Sequence, residues 1–463
     1  KWSCVQDESF VEPNGSALGE VPVALNNEVS CSNDDGAIAG ALWQFGKRSG
    51  GKRGNHPRAL AGQKQQREQH GGTHESERSM VGQMTTVDEP DGPLPDRVLS
   101  RPLADIARET TIDPRVPALV PGFDAPFFQA GLAGYSDAPM RLMARRHGCP
   151  FCVTEALLDR TLISGGKGRT REDPDLLAEQ CGTGDLEENR AAGLEDHPIA
   201  GQLMGTQPEE MARGAEILLD FGYEVVDLNF ACPVKKVKRR NRGGHFLAHP
   251  EEAIAVFKAV RQVVPDKVPI TVKLRRAWDD TDAMTAAFHE VFDAIYDMGA
   301  AWATVHCRTV EQRYKGPGRW SFLTELRAQH PDRLFFGSGD IWTAQDVFAM
   351  LDVTGVTGVS VARGCIGNPW IFRQCRQMMA GEAPTEPTLA EQRDVLLEHL
   401  RLSTELHGER GASKMMRKFG IRFAKHHPEG NRVKADFIAC DSRAAWHRVL
   451  EAHYPTDQIS IPT

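Results

Sequence analysis

Short runs of β-forming residues alternate with helical patterns between residues 116 and 380 of this 463-residue chain. Eight such runs occur, at 127–131, 151–154, 199–204, 225–229, 270–274, 303–306, 334–337 and 358–362. The sequence between them predicts helices at 208–221, 250–264, 282–298 and 343–351, the last with Thr343 as its N-cap. Eight strands that alternate with helices indicate an α/β protein with a closed (β/α)8 TIM barrel. An open doubly wound sheet is the alternative, but no Gly-x-Gly-x-x-Gly motif follows the first strand.

The two flanks of the predicted barrel differ from it in composition. Residues 1–115 are rich in small polar and charged residues without lasting apolar periodicity, so we predict a disordered, low-complexity tail. The first methionine is Met80, which leaves two explanations, a start assigned too far upstream or a genuine extension. Residues 381–463 show helical periodicity and predict a small all-helical domain. The polar segment 165–198 is predicted to be a surface insertion.

Charge and cysteine content narrow the class of protein. The net charge of −8 argues against non-specific coating of nucleic acid, although a local basic surface could still bind it. No apolar run approaches the roughly 20 residues that cross a bilayer, so we expect no membrane association. The ten cysteines form no framework, and Cys149 and Cys152 make the one C-x-x-C pair. We therefore expect a reduced, cytoplasmic protein without a metal site.

Polar groups recur where the predicted strands end, which is the side on which barrels of this type bind ligands. Six successive strands end in them: Gln202, Asn229 with Cys232, Lys273 with Arg275, His306 with Arg308, Gly339 with Asp340, and Arg363 with Gly364. One such coincidence means little, but its recurrence predicts a ligand site at this end of the barrel.

Cys232 follows the apolar strand 225–229 and precedes a cationic loop. That loop carries Lys235, Lys236, Lys238, Arg239 and Arg240. A thiol beside so much positive charge could act on a polyanion that the loop holds. The alternative for a single cysteine is a buried core residue followed by a solvated basic loop.

Two further features indicate the chemistry of the ligand. Lys273 alternates with Val272 and Leu274, so it points into the barrel, where an unpaired ammonium is costly. A structural salt bridge would explain it, but an anionic or electron-rich ligand is the better account. After the last two strands, Ser338-Gly339-Asp340 and Arg363-Gly364 combine pliable backbone with a cation at the usual phosphate position of this fold.

Residues 125–440 resemble the tRNA-dihydrouridine synthases, most closely the bacterial B-type enzymes. The motifs, in the family's order and spacing, are Leu132-Ala133-Gly134-Tyr135-Ser136-Asp137, Gln202-Leu203-Met204-Gly205, 229–236, Val272-Lys273-Leu274-Arg275, His306-Cys307-Arg308-Thr309, Gly339-Asp340-Ile341 and Gly367-Asn368-Pro369-Trp370. The resemblance implies a non-covalent FMN in the barrel mouth and NADPH, or NADH, as reductant. It also implies that the C-terminal helical domain helps to hold tRNA.

The resemblance implies roles for individual residues. FMN would be held by Gly131, Leu132, Ala133, Gln202, Lys273, His306, Ser338, Gly339, Asp340, Ala362 and Arg363. The target uracil would approach Asn229, Lys273, Arg275 and Tyr314, and Cys232 would be the catalytic proton donor. The cationic loop after Cys232 and the residues Lys414, Arg417 and Lys418 would contact tRNA. Gly131 and Ala362 stand where the family usually has proline and glycine, and 241–245 is an unusual version of the loop after the cysteine.

Three functions remain open. The first is a flavin-dependent tRNA-dihydrouridine synthase, which reduces the C5–C6 double bond of specific uridines. The second is an FMN barrel that acts on a free small molecule such as a dihydropyrimidine, and the third is a catalytically silent RNA-binding protein. The two groups of cations favour RNA over a small molecule, and Cys232, Lys273 and His306 speak against a silent protein. We expect a monomer.

Overall fold

The structure is a computed structural model, and it describes residues 97–164, Leu186, Asn189 and residues 192–455. Most of the predicted tail, with the question of its start, lies outside the described residues, as does most of the predicted insertion 165–198. The described residues contain the whole predicted barrel apart from that insertion, and nearly all of the C-terminal region.

Parallel strands close into a barrel, as predicted. The strands of the described part are Phe127–Gln129 (β1), Cys152–Val153 (β2), Leu157–Leu158 (β3), Ile199–Met204 (β4), Val225–Asn229 (β5), Ile270–Arg275 (β6), Trp302–His306 (β7), Phe335–Ser338 (β8) and Gly358–Val361 (β9). Neighbours from β4 to β9 pair in order, β9 pairs with β1, and β1 connects through β2 back to β4, so eight strands form the ring. The short β3 was not predicted and adds to β4 beside this ring.

Helices cover the outside of the barrel. Those up to its end are Leu103–Glu109 (α1), Arg115–Leu119 (α2), Ala138–Arg146 (α3), Asp159–Ile163 (α4), Pro208–Asp220 (α5), Lys235–Lys238 (α6), Pro250–Val263 (α7), Asp282–Asp297 (α8), Ser321–Gln329 (α9), Ala344–Thr354 (α10) and Trp370–Met379 (α11). Thr343 caps α10, as predicted: its hydroxyl accepts the Asp346 N–H, and the Asp346 carboxylate accepts the Thr343 N–H. The predicted helices α5, α7 and α8 each extend one residue beyond the observed C-terminal end.

An aromatic layer closes the N-terminal end of the barrel. The ring of Phe123, which precedes β1, stacks on Phe151 with centroids 4.8 Å apart and on Phe336 at 5.7 Å. Phe128 and Trp302 complete the layer, and all five side chains are buried. Because close-packed rings leave no passage for water, a ligand can enter only from the C-terminal ends of the strands.

Three helices follow the barrel, which confirms the predicted helical C-terminal region. They are Leu389–Phe423 (α12), Gly430–Ala439 (α13) and Arg443–His453 (α14). Helical geometry in α12 is interrupted at Gly408, where φ is 68°. None of the helices in the described ranges is long and apolar enough to span a membrane.

The helical region packs directly on the barrel. His407 Nε2 lies 3.0 Å from the carboxylate of Asp137, the N-cap of α3. Phe423, at the end of α12, packs edge-to-face on Trp370 of α11 with ring centroids 5.4 Å apart. These contacts hold α12 against the rim of the barrel on the side where the strands end.

The prediction of a disordered tail is wrong for residues 97–115. Ile106 and Ala107 of α1 are buried in the main hydrophobic core. Ser100 donates its backbone N–H to Asp352 of α10 at 2.7 Å. With only seven residues, α1 is too short to show a helical period in the sequence, and its stability comes from tertiary packing.

Candidate active site at the barrel mouth

Polar side chains of β4, β5 and β6 form one hydrogen-bonded network inside the barrel. Gln202 donates from Nε2 to Asp227 Oδ2 at 2.7 Å, and Thr271 donates to the other carboxylate oxygen at 2.6 Å. Asn229 Nδ2 donates to Gln202 Oε1 at 2.7 Å. Burial raises the pKa of Asp227 to about 6, although both of its hydrogen bonds favour the carboxylate. The network therefore fixes the amides of Gln202 and Asn229 in defined orientations.

Lys273 lies beside this network, and its Nζ is buried without a hydrogen-bond partner. Its neighbours across the sheet are Asn229 on β5 and Thr304 on β7. Burial lowers the pKa of Lys273 to about 7, and the nearby Asp227 carboxylate opposes that shift. A buried amine without a partner is unfavourable, so this position suits a ligand that brings an anion or a carbonyl oxygen.

Cys232 lies just beyond β5 on a loop that Asn229 holds. Asn229 Oδ1 accepts the backbone N–H groups of Ala231 and Cys232 at 3.1 and 3.0 Å. Gly244 donates its N–H to the Cys232 carbonyl at 3.0 Å, and a Cβ on Gly243 would come within 2.8 Å of Cys232 Cβ. Cys232 is half-buried, whereas every other cysteine in the described part of the chain is buried. Of the described thiols, this one is the most accessible to a ligand.

Arg275, at the end of β6, fixes the loops on either side of it. Its Nε donates to the Ala231 carbonyl at 2.9 Å, and its Nη1 donates to the carbonyls of Thr309 and Arg313 at 2.9 and 2.7 Å. Burial lowers its pKa to about 10, so the guanidinium stays charged at neutral pH. The ring of Tyr314 is 5.6 Å from the guanidinium carbon. Arg275 thus holds the cysteine loop, and its contact with a substrate stays a prediction.

Asp340 is the centre of an ion cluster after β8. Its carboxylate pairs with Arg308, accepts the Gly318 N–H at 2.7 Å and lies 3.2 Å from Arg97 Nη2. Arg363 Nη2 is 4.0 Å away. The backbone of Asp340 is left-handed, with φ 57°, which is costly for a residue other than glycine and is held by these contacts. Because the carboxylate is already satisfied, a ligand would meet the surrounding cations and backbone rather than this acid.

A small cavity adjoins the ion cluster and brings together most of the residues predicted to hold a phosphate. It is lined by His306, Ser338, Gly339, Asp340, Ile341, Trp342, Ser360, Ala362 and Arg363. Arg363 Nη1 is buried without a hydrogen-bond partner. His306 Nδ1 accepts the Arg308 N–H at 3.1 Å, and burial among cations holds the pKa of His306 well below its usual range. The imidazole is therefore neutral, with Nε2 carrying the proton.

The loop after β1 also lies beside the hydrogen-bonded network of Gln202, Asp227 and Asn229. A Cβ on Gly131 would lie 2.4 Å from the Thr154 carbonyl oxygen and 3.3 Å from Gln202 Nε2, so this position requires glycine. The Leu132 N–H donates to the Ser136 hydroxyl at 2.8 Å, which fixes the segment 131–133. The contact of this segment with a flavin stays a prediction.

The cations of the loop after Cys232 are not equally available to a ligand. Lys238 forms an ion pair with Glu311 at 2.7 Å, and its ammonium lies 4.2 Å from the centre of the Trp278 ring. Lys235 and Arg239 are exposed, whereas the side chain of Lys236 lies outside the described part. Arg240, the remaining cation of this set, is half-buried.

A second group of cations lies on α12. Lys414 is exposed, and Arg417 and Lys418 are half-buried. The ammonium of Lys418 lies 4.7 Å from the centre of the Tyr135 ring, which belongs to the loop between β1 and α3. This group is therefore continuous with the barrel mouth.

Sequence reasoning missed three residues that organise the site. Asp227 could have been found, because an acidic residue within an apolar strand signals a buried polar partner. Arg308 was recognised as a strand-end residue but not as a partner of Asp340. No sequence pattern indicates the role of Arg97, because its partner Asp340 lies 243 positions away in the chain.

A family model described as dihydrouridine synthase (Dus) matches residues 128–455. The chain is similar to tRNA-dihydrouridine synthase B of Xanthomonas axonopodis pv. citri, with 31% identity over 318 residues that cover 68% of this chain and 87% of that protein. A probable tRNA-dihydrouridine synthase of Treponema pallidum is 31% identical over 305 residues, 64% of this chain and 84% of the relative. A solved histamine dehydrogenase from Rhizobium sp. 4-9 is similar at 13% identity and a TM-score of 0.44, over 65% of this chain and 51% of that one.

The closed ring of eight parallel strands with helices around it defines the protein as a TIM-barrel protein, and the ends of its strands form a polar, cation-lined mouth. The chain belongs to the dihydrouridine synthase family.

Proposed function

We propose that the protein is a flavin-dependent tRNA-dihydrouridine synthase, which reduces the C5–C6 double bond of specific uridines in tRNA. The observation that carries this proposal is the arrangement around Asn229. Asn229 lies opposite Lys273 in the register of β5 and β6, and its side chain holds the backbone of Cys232. A buried amine on β6 and an accessible thiol just beyond β5 therefore belong to the same mouth. A reductase that must add a proton to its substrate needs such a donor within reach of a bound, electron-rich ring.

The residues present fit FMN as the cofactor. Two buried nitrogen groups without hydrogen-bond partners, Lys273 Nζ and Arg363 Nη1, lie on the two sides of the mouth. Arg363, with the backbone of 338–340 and 362–363, would hold the phosphate, since a cation and exposed N–H groups suit a dianion. The ring system of FMN would be contacted by Lys273, Gln202 and the segment 131–133. His306 would donate a hydrogen bond to FMN from its Nε2. Bound and reduced, FMN supplies the hydride that C6 of uracil accepts.

Cys232 would complete the reduction by donating its thiol proton to C5 of the uracil. Its loop is already fixed by Asn229 and by the carbonyl contact to Arg275, so the donor needs little reorganisation. Lys273 and Tyr314 would position the uracil, which must leave its stack at a cost of a few kcal/mol. NADPH, or NADH, would be the reductant, and the monomer would be the active unit.

Two cationic groups would hold the tRNA, one at Lys235, Arg239 and Arg240 beside the mouth and one at Lys414, Arg417 and Lys418 on α12. We expect a Lys414→Ala/Arg417→Ala/Lys418→Ala variant to bind tRNA more weakly, with a salt slope shallower by about 2–3, because fewer counterions are released. Lys267→Ala, which removes an exposed cation before β6 at the other end of the barrel, is the matched control. An unchanged slope in the triple variant would remove α12 from the RNA surface.

The function is tested by mapping dihydrouridine in tRNA from cells that lack the gene. We expect one position, or one small set of positions, to remain uridine and to be restored by the wild-type chain but not by Cys232→Ala. A tRNA pool with unchanged dihydrouridine would contradict the proposal. Restoration by Cys232→Ala would keep the function and remove the proposed proton donor.

A further inference from the structure

Two histidines and a glutamate form a compact cluster behind the cysteine loop. His245 lies in the turn that follows Gly243 and Gly244, His249 precedes α7, and Glu252 is in the first turn of that helix. Their candidate ligand atoms all lie within 4.8 Å of one another. His245 Nε2 is 3.1 Å from Glu252 Oε2, and His249 Nδ1 is 4.0 Å from Glu252 Oε1. The two imidazole rings stack with centroids 4.1 Å apart.

This donor set has the chemistry of a transition-metal site. Two imidazole nitrogens with one carboxylate oxygen are a typical zinc ligand set, and metal–ligand bonds of about 2.0–2.2 Å bring such atoms as close together as they are here. We propose that His245, His249 and Glu252 bind a divalent transition metal, with Zn²⁺ as the preferred ion. Glu251, whose carboxylate is 3.9 Å from His249 Nδ1, or a water molecule would take the fourth position.

The metal would act on the loop that carries the proposed proton donor. Gly243 and Gly244 pack against the backbone of Cys232, and His245 follows them directly. A metal that ties His245 to the first turn of α7 would therefore hold these glycines against Cys232. The role is positional, and the proposal does not depend on the reductase function, because metal binding is measured without flavin or tRNA.

The chain provides its own control for an ordinary acidic helix start. Helix α5 begins with Pro208-Glu209-Glu210, the same three residues as Pro250-Glu251-Glu252 at the start of α7. Glu210 forms an ion pair with Arg160 at 2.8 Å instead of facing histidines. If Glu252 only balances the dipole of α7, its substitution should change metal affinity no more than the substitution of Glu210 in α5 does.

The test is a titration of the full chain with Co²⁺, followed by displacement with Zn²⁺. We expect one tight equivalent with visible bands of nitrogen and oxygen ligation and without thiolate charge transfer, which excludes the cysteines as ligands. His249→Ala and Glu252→Gln, both at partly exposed positions, should weaken this binding by roughly 10- to 100-fold or more. Glu210→Gln should bind as the wild type does. Equal affinity in all four proteins, or a thiolate spectrum, would overturn the proposal.

A second measurement separates metal binding from a folding defect. Zn²⁺ should raise the melting temperature of the wild type and of Glu210→Gln but not that of Glu252→Gln, whose melting temperature without metal should equal that of the wild type. Zn²⁺ should also slow alkylation of Cys232 by a maleimide, read by peptide mapping, in the same two proteins. A stabilisation of Glu252→Gln equal to that of the wild type would contradict the site.

Discussion

The two halves of the barrel mouth are built on different electrostatics. The half formed by β4, β5 and β6 has the Asp227 carboxylate, the Lys273 amine and two side-chain amides inside the barrel, with Arg275 at the end of β6. Burial moves the pKa of Asp227 to about 6 and that of Lys273 to about 7. The half formed by the ends of β7, β8 and β9 is a cluster of guanidinium groups around Asp340. The first half can change its protonation near neutral pH, whereas the second holds fixed charge.

This difference indicates that the two halves of the mouth have different functions. Ion pairing keeps the charges of Arg308 and Asp340 in place, so their half is preorganised to hold an anionic group without further rearrangement. On the other half, desolvation leaves Lys273 near its ionisation midpoint, so a ligand can decide whether it carries the proton. We expect the first half to govern the chemistry and the second to govern cofactor affinity.

The largest effect should come from the chemical half. Cys232→Ala should lower dihydrouridine formation on tRNA by roughly 10²–10⁴, the usual contribution of a general acid, while NADPH oxidation by the flavin continues. Stopped-flow absorbance separates the two half-reactions. Cys440→Ala, which removes a buried thiol of the helical region, is the control. Equal rates of dihydrouridine formation in both variants would contradict the assignment of Cys232 as the proton donor.

Lys273 should make the stability of the flavin-free protein depend on pH. Its pKa is about 7 in the folded chain and 10.5 when unperturbed, so between these values the unfolded chain binds more protons and wild-type stability rises with pH. Lys273→Met removes this dependence. The stability of the variant relative to wild type should therefore be greatest at pH 7 and should fall towards pH 10.

Urea unfolding at a series of pH values from 7 to 10 measures this difference. Lys267→Met, at an exposed position before β6, is the control and should show no such trend. A stability gain for Lys273→Met that is the same at pH 7 and pH 10 would contradict a folded-state pKa near 7.

Arg363 tests the anchoring half. Arg363→Ala should weaken FMN binding about 10- to 100-fold, because a charge-assisted hydrogen bond contributes about 1.5–3 kcal/mol. Flavin fluorescence titration of the flavin-free protein measures the affinity. Arg376→Ala is the matched control, since that guanidinium binds Asp124 and the Gly148 carbonyl, which precede β1 and β2 at the other end of the barrel. Equal FMN affinity in the two variants would place the phosphate elsewhere.

Arg97 should give the smallest effect. Arg97→Ala leaves Asp340 with Arg308 and the Gly318 N–H, so we expect FMN affinity to fall only a few-fold, as for a partly exposed ion pair of about 0.5–1 kcal/mol. Arg101→Ala, four residues further on and paired with Glu109 at the surface, should have no effect. A loss for Arg97→Ala as large as that for Arg363→Ala would show that the segment before α1 contributes directly to the cofactor site.

The sequence predicted the parts of the molecule that repeat locally. Short runs of β-forming residues mark β4 and β5 at their observed bounds, and the capping residues of α10 lie within one turn of each other. It could not predict contacts between distant segments, such as Arg97 with Asp340 or Lys238 with Glu311, because no periodic pattern relates their positions. For the same reason the sequence predicts a substrate contact for Arg275 but not its hydrogen bonds to three backbone carbonyls.

The most direct test of the account is the reaction itself. Purified protein is incubated with FMN, NADPH and an unmodified tRNA transcript, with free uridine in a parallel sample, and dihydrouridine is measured by mass spectrometry of the digested products. We expect a mass gain of two hydrogens at a defined uridine of the tRNA, lost in Cys232→Ala, and none in free uridine. Reduction of free uridine without any change in the tRNA would contradict the account and favour a small-molecule reductase.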